Sequence, residues 1–231
     1  MMMTIKSKNS LKLDLAGRVQ LQHVYNDNLA SADSITSHGF RMRRVRVQLD
    51  AKITDFLLSK VQIEVRDNSP RLKDAEGKLQ LFKNFYFRFG QFKVPVWREE
   101  FIRSSGDLML VERSPAAEFL VVNLLSARQI GVEIGGELNS HLTWAFNYSN
   151  GSGEGISEIE KLIFINKDAS LVLDINNGKM YVGRVDLALN KQVKFGLSGA
   201  INYVGSQVDT LNNKGENTAI VPDFGLYQPS G

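Results

Sequence analysis

Residues Phe40 to Ile53 read FRMRRVRVQLDAKI. From Val45 the odd positions are apolar (Val45, Val47, Leu49, Ala51, Ile53) and the even ones polar or charged (Arg44, Arg46, Gln48, Asp50, Lys52). A period of two marks a strand with one apolar and one polar face. Before Arg44 the parity reverses, with Phe40 and Met42 apolar and Arg41 and Arg43 charged. One extra residue at Arg43–Arg44 restores a single face. The spacing therefore predicts a β-bulge there, with Arg41, Arg43, Arg44 and Arg46 all on the polar side.

The same alternation runs outward in both directions. It covers Leu11 to about Tyr25, Leu57 to Val65, Ala75 to Leu81, Phe85 to Phe89, Ile130 to Leu138, Leu142 to Tyr148, Tyr181 to Leu189 and Val193 to Tyr203. Asp223 to Tyr227 reads as the start of a tenth strand. The first of these exceeds the 5–6 residues usual in globular strands and suits a tilted membrane strand. Turns are tight at Thr54, Lys83, Asn139 and Asn190. They are long at about 26–39, 67–73, 94–128, 149–178 and 204–222, with a small hairpin expected from LIFI and LVL inside 149–178. Short turns at one end and long loops at the other are the asymmetry of outer-membrane barrels. A soluble lipocalin-like barrel, or a β-sandwich module binding an anionic ligand, also alternates. The pattern alone does not say which face looks outward. Aromatics near strand ends (Tyr25, Phe40, Phe85, Tyr148, Tyr181, Tyr203) favour an interfacial girdle.

Composition excludes several classes. The chain has 231 residues, 43% of them hydrophobic, and a mean hydropathy of −0.17. No run approaches the ~18 apolar residues of a spanning helix, which says nothing against a membrane barrel. There is no cysteine, so disulfide frameworks and thiolate metal sites are excluded. His23, His38 and His141 are scattered, without a metal-binding spacing, and no GxSxG marks a nucleophile. No enzyme, metal site or cofactor is expected. Charge is unevenly placed: residues 1–115 hold 20 Lys+Arg against 13 Asp+Glu, whereas the remainder is net acidic. An anion-facing surface on the first half follows. Lumen-facing alternation explains the Arg41–Arg46 cluster better than nucleic-acid binding does, so no nucleic-acid partner is expected.

The connection after Phe85–Lys93 is the other informative stretch: VPVWREEFIRSSGDLMLVERS, from Val94 to Ser114. Pro95 ends the ladder because it has no N–H to donate. A connection of this length is usually functional. It carries Arg98, Arg103 and Arg113, the hydroxyl pair Ser104–Ser105 and the acids Glu99, Glu100, Asp107 and Glu112. Residues 94–128 therefore read as a loop folded inward to handle anions.

FRMRRVRVQLDAKITDF, LKDA, GQFKVPVWREEF, SS and VERS, in that order and spacing, resemble the N-terminal half of the phosphate-selective porin O and P family. The resemblance runs from about Phe40 to Arg128, and more loosely to Leu189. It implies an all-β, antiparallel up-and-down transmembrane barrel of sixteen strands, in the outer membrane of a Gram-negative bacterium and usually trimeric. Such a barrel passes phosphate or other small anions through a constriction made by its third loop. Carried over by motif position, Arg43 and Arg44 line the lumen, and Asp74, Ser104, Ser105 and Arg113 sit at the constriction. Arg46 and Arg103 are weaker candidates. The chain supplies nine strands and a possible tenth, no visible signal peptide and no terminal aromatic strand. It is thus expected to be a single porin domain over 1–231, either truncated at its C-terminal side or closing a smaller barrel, with outer-membrane lipid and a homotrimer as partners.

Overall fold

The computed structural model describes residues 2–6, 11–27, 36–66, 69–102, 113–151, 178–204 and 215–226. Eleven antiparallel strands follow one another in a single sheet in chain order. They are β1 (Met2–Lys6), β2 (Lys12–Asp27), β3 (Thr36–Lys52), β4 (Leu57–Arg66), β5 (Ser69–Phe82), β6 (Phe85–Lys93), β7 (Arg128–Glu137), β8 (Leu142–Ser149), β9 (Met180–Ala188), β10 (Val193–Val204) and β11 (Gly215–Leu226). Two helices, α1 (Arg98–Phe101) and α2 (Pro115–Val122), lie between β6 and β7. The chain divides into two compact units, Met1–Ala75 and Glu76–Gly231.

In the first unit the predicted bulge is present. Gln20 pairs with Arg44 and Leu21 with Met42, so Arg43 is the extra residue. Beyond it the β3–β4 register sets Arg46 opposite Glu64, Gln48 opposite Gln62 and Asp50 opposite Lys60 on the polar face. The apolar partners Val47–Ile63 and Leu49–Val61 share the other face. In a soluble sheet the apolar row would be covered. Here Ile63 is 45% exposed while its neighbours Gln62 and Glu64 are 8% and 5% exposed. The faces are inverted relative to a water-soluble protein.

The second unit repeats the inversion. Val185, Leu187, Phe195, Leu197 and Ile201 are exposed, whereas Arg184, Ser198 and Asn202 are buried. Part of the expected girdle forms a row of tyrosines across β8, β9 and β10. Tyr148 and Tyr181 have ring centroids 5.2 Å apart, and Tyr181 and Tyr203 6.4 Å. Among the described residues, no helix is long and apolar enough to cross a membrane.

Some boundaries differ from those expected. β1 hydrogen-bonds to β2 from a start that shows too short an alternation to read. β5 begins at Ser69, so the loop expected over 67–73 is mostly strand. Pro70 lies in its first residues, where a missing N–H is best tolerated. β11 runs from Gly215, so residues 215–222 of the expected 204–222 loop are strand, held in register by twelve pairs between β11 and β10. The tight turns at Thr54, Lys83, Asn139 and Asn190 are as expected. At the first, the Thr54 hydroxyl accepts from the amides of Phe56 and Leu57. At the third, Asn139 Oδ1 accepts from His141 and Leu142. The hairpin expected within 149–178 lies outside the described residues.

The inverted faces predict a specific asymmetry. Leu197→Arg should destabilise the protein in lipid vesicles by up to ~2–4 kcal/mol, the cost of a cation on a lipid-facing strand, measured by urea unfolding. A neutral result would mean that the apolar face is solvated by water.

Candidate functional site

The described parts of the 94–128 segment, 94–102 and 113–128, lie against the polar face of the second unit's sheet. Val94, Val96, Leu120 and Leu125 are buried with Met180 and Val182 of β9, Ala200 of β10 and Val221 of β11. These four strand residues stand at polar-face positions, so the sequence places small or apolar side chains there for the segment to cover. Polar contacts complete the seat. Asn202 donates to the Leu124 carbonyl at 2.8 Å and to the Gly151 carbonyl at 2.8 Å. Asn217 donates to the Asn123 carbonyl at 2.9 Å. Among the described residues, three non-glycines have positive φ: Trp97 at 59°, Leu124 at 56° and Ala127 at 72°, all within this segment. A left-handed conformation costs a non-glycine residue ~1–2 kcal/mol, which the packing must offset.

α1 is held by a four-membered charge cluster. Arg98 donates from its Nε to Asp223 Oδ1 at 2.9 Å and from its backbone amide to Asp223 Oδ2 at 3.1 Å, and its Nη2 pairs with Asp186. Arg184 donates to both oxygens of Asp186, at 2.7 and 2.6 Å, and to both of Asp223, at 2.7 and 2.9 Å. Its guanidinium also stands 4.7 Å from the Phe101 ring. Two arginines and two aspartates are thus mutually neutralised by bidentate bonds, the arrangement that offsets the desolvation of buried charge. Gly196 leaves room for it, since a Cβ there would overlap Arg184 Nη2 and Asp223 Oδ1.

A second node joins α1 to α2. The Glu100 carboxylate takes Arg113 Nε at 2.5 Å and lies 3.6 Å from Lys93 Nζ, which also donates to the Glu100 carbonyl at 2.5 Å. Arg113 donates to the Glu99 carbonyl as well. Ser114 caps α2 by accepting from the Ala117 amide at 3.3 Å, and Pro115 occupies the first helical position. The Glu99 carboxylate accepts from the Ser114 amide at 2.9 Å, the Ser114 hydroxyl at 2.5 Å and the Trp97 indole at 3.3 Å. Burial pushes the Glu99 carboxyl up, but these hydrogen bonds, with the Arg113 charge nearby, outweigh it and hold the carboxyl below its ordinary range.

The residues singled out in the sequence fall as follows. In the first unit, Arg41 donates to Gln22 at 3.0 Å and Arg44 to Gln20 at 3.2 Å, both neutral amides on the polar face of β2. Arg43 is buried at the bulge. Arg46 pairs with Glu64, which also lies 3.6 Å from Lys73. Asp74 is buried and accepts from Lys60 at 3.1 Å, so its charge is already matched by a lysine. In the second unit, Arg113 joins the Glu99–Glu100 node. Arg103, Ser104 and Ser105 lie outside the described residues. The structure therefore gathers the β3 arginines on one face. Arg98, Arg184, Asp186 and Asp223 were not among the expected site residues. Arg184 and Asp186 announce themselves only as two charges on one strand face, and their partners are far away in sequence.

An exposed apolar face, a polar face bearing arginines, and a long segment laid on that polar face define a membrane β-sheet of the porin class. The chain belongs to the phosphate-selective porin O and P family, whose model matches residues 14–155. It is an outer-membrane porin, a channel-forming protein. No curated protein matches it. A solved structure of the NanC porin, in a rhombohedral crystal form, is similar over 96% of this chain and 96% of that one, at 9% identity and a TM-score of 0.39. A likeness that loose supports no statement about this chain.

Two outcomes follow from the nodes. Removing one member of the four-charge cluster strands the others, so Asp223→Ala should cost ~3 kcal/mol or more and raise protease cleavage within 94–128 in detergent. Because the Glu99 carboxyl is lowered in the folded state, its contribution is present above its ordinary value of 4.5 and is lost as pH falls through the lowered value. Cleavage near α2 should therefore rise on acidification below that point, and Glu99→Gln should flatten the pH dependence.

Proposed function

We propose that this porin passes small anions, with phosphate or polyphosphate preferred, and that residues 94–128 form its constriction. The observation that carries the reading is the arginine row of β3 together with its neighbours on β2. Arg41, Arg44 and Arg46 share the polar face with Gln20, Gln22 and Gln48, and the Arg43 bulge adds a fourth guanidinium to the same short segment. A guanidinium presents a fixed fork of donors suited to phosphate oxygens. Neutral glutamine side chains of β2 accept from Arg41 and Arg44 and orient their guanidinium groups on this face. Carboxylates beside Arg46 and Arg113 moderate those sites, so that an ion bound there also leaves. Asp74 plays the same moderating part toward Lys60.

The family assignment supports the remaining parts of the reading. Arg103, Ser104, Ser105 and Arg113 serve the constriction, where hydroxyls add neutral donors to the guanidinium groups. The protein works as a homotrimer in the lipid of a Gram-negative outer membrane, within a single barrel domain.

Planar bilayers test this. A salt gradient should give a reversal potential of anion-selective sign, and added phosphate should reduce chloride current with saturation. Arg113→Ala should weaken that phosphate block about tenfold, the scale of one charge-assisted hydrogen bond. Cation selectivity in the wild type, or an unchanged block in the variant, would overturn the assignment.

A further inference from the structure

A cavity of about 350 Å³ lies in the second unit, bordered by the 94–128 segment through Pro95 and Phe101. Its lining includes Lys78, Lys83, Tyr86, Arg88 and Glu133, closed on one side by Phe101 of α1. It is at the small end of solute-binding pockets, which span about 300–1,000 Å³.

Glu133 gives the cavity its chemistry. Its side chain is 3% exposed. Oε1 accepts from the Tyr86 hydroxyl at 3.0 Å and lies 3.5 Å from Arg88 Nη1. Arg88 is shared, donating also to Glu76 at 2.7 Å. Oε2 is buried and, among the described residues, has no hydrogen-bond partner. A buried carboxylate oxygen without a donor is costly, and native structures seldom leave one so without a reason. Near it, the Lys78 ammonium stands 3.9 Å from the Tyr86 ring centroid, and among the described residues no carboxylate lies at ion-pair distance from it. Lys83 is exposed in the tight turn beside it. The site therefore offers a waiting acceptor next to two lysines. A plain anion satisfies the lysines and leaves Oε2 bare. A neutral alcohol satisfies Oε2 and ignores the lysines.

We infer that this cavity is a solute subsite for small hydroxylated anions, in which the anionic group meets Lys78 and Lys83 and a neighbouring hydroxyl donates to Glu133 Oε2. The inference rests on the reading of the chain as a solute channel and names a class of solute beyond inorganic phosphate. The hydroxyl gains a charged acceptor, and Phe101 sets the boundary against which the carbon skeleton rests.

The probes are glycerol 3-phosphate and methyl phosphate, alike in charge and differing in hydroxyls. Binding to the detergent-solubilised full chain is measured by calorimetry. The wild type should bind glycerol 3-phosphate about tenfold more tightly. Glu133→Gln leaves an oxygen for Tyr86 and Arg88 and puts a neutral amide N–H₂ where the charged Oε2 was; the probe hydroxyl can still accept from it but loses its charged acceptor, so the preference should shrink about threefold or more. Lys78→Met should weaken both probes, and it keeps the question open to test if the first variant does not fold. Equal binding of the probes to the wild type, an undiminished preference in Glu133→Gln, or unchanged binding in Lys78→Met would overturn the inference. The reversal potential judges the anion-channel reading separately. Cation selectivity with the probe preference intact would sink that reading alone, and anion selectivity without the preference would sink this one alone.

Discussion

Asp223 accepts from Arg98 and from Arg184, and Asp186 accepts from the same two arginines. Each charge in this group is buried or nearly so, and each is tolerable only because the other three are in place. Arg98 belongs to the segment after β6, whereas the other three belong to β9 and β11. The group therefore fixes one end of that segment to the sheet. The apolar contacts of Val94, Val96, Leu120 and Leu125, and the amide bonds from Asn202 and Asn217, complete the attachment. Without the charge group, those contacts would act on a chain free to lift at α1.

Why this is possible follows from the inverted sheet. In water, the face that carries Arg184, Ser198 and Asn202 would be the solvated one, and its charges would need no partners. Lipid on the other face turns the polar side into the interior. Every guanidinium then needs an acceptor, and strand register supplies them: Arg46 opposite Glu64 in the first unit, Arg184 two residues from Asp186 in the second. Neutral amides fill the intervening positions, as Gln62 does by donating to Gln48 at 2.6 Å. The same register that aligns backbone hydrogen bonds thus sorts charges.

Much of this could be read in the sequence. Period-two alternation located the strands, and the parity break at Arg43–Arg44 located the bulge, because a strand's side chains have only two directions to point. The tight turns were legible from Thr54, Asn139 and Asn190, whose side chains cap the turns they begin. Strand ends near Pro70 and before Asp223 were missed because their residues carry little alternation. Pairing with β10, not local pattern, makes a strand of 215–222. α2 does not show in the alternation either: Ser114-Pro115 is a helix-start signal, but PAAEFLVV has no clear apolar stripe to mark the helix that follows. The Arg98–Asp223 contact spans 125 positions. Periodicity assigns a residue to a face but is silent on which distant strand lies beneath it, so the charge cluster was not recoverable from one sequence.

Trp97, Leu124 and Ala127 adopt a backbone shape that L-residues with side chains avoid when left to themselves. A chain just emerging from synthesis or crossing the periplasm has no reason to hold it. The covering segment is therefore a late arrival: β9, β10 and β11 must already be zipped before Met180, Val182 and Ala200 exist as a seat. The polar face of the sheet is thus bare when its strands first pair, and Val94, Val96, Leu120 and Leu125 cover it only afterwards.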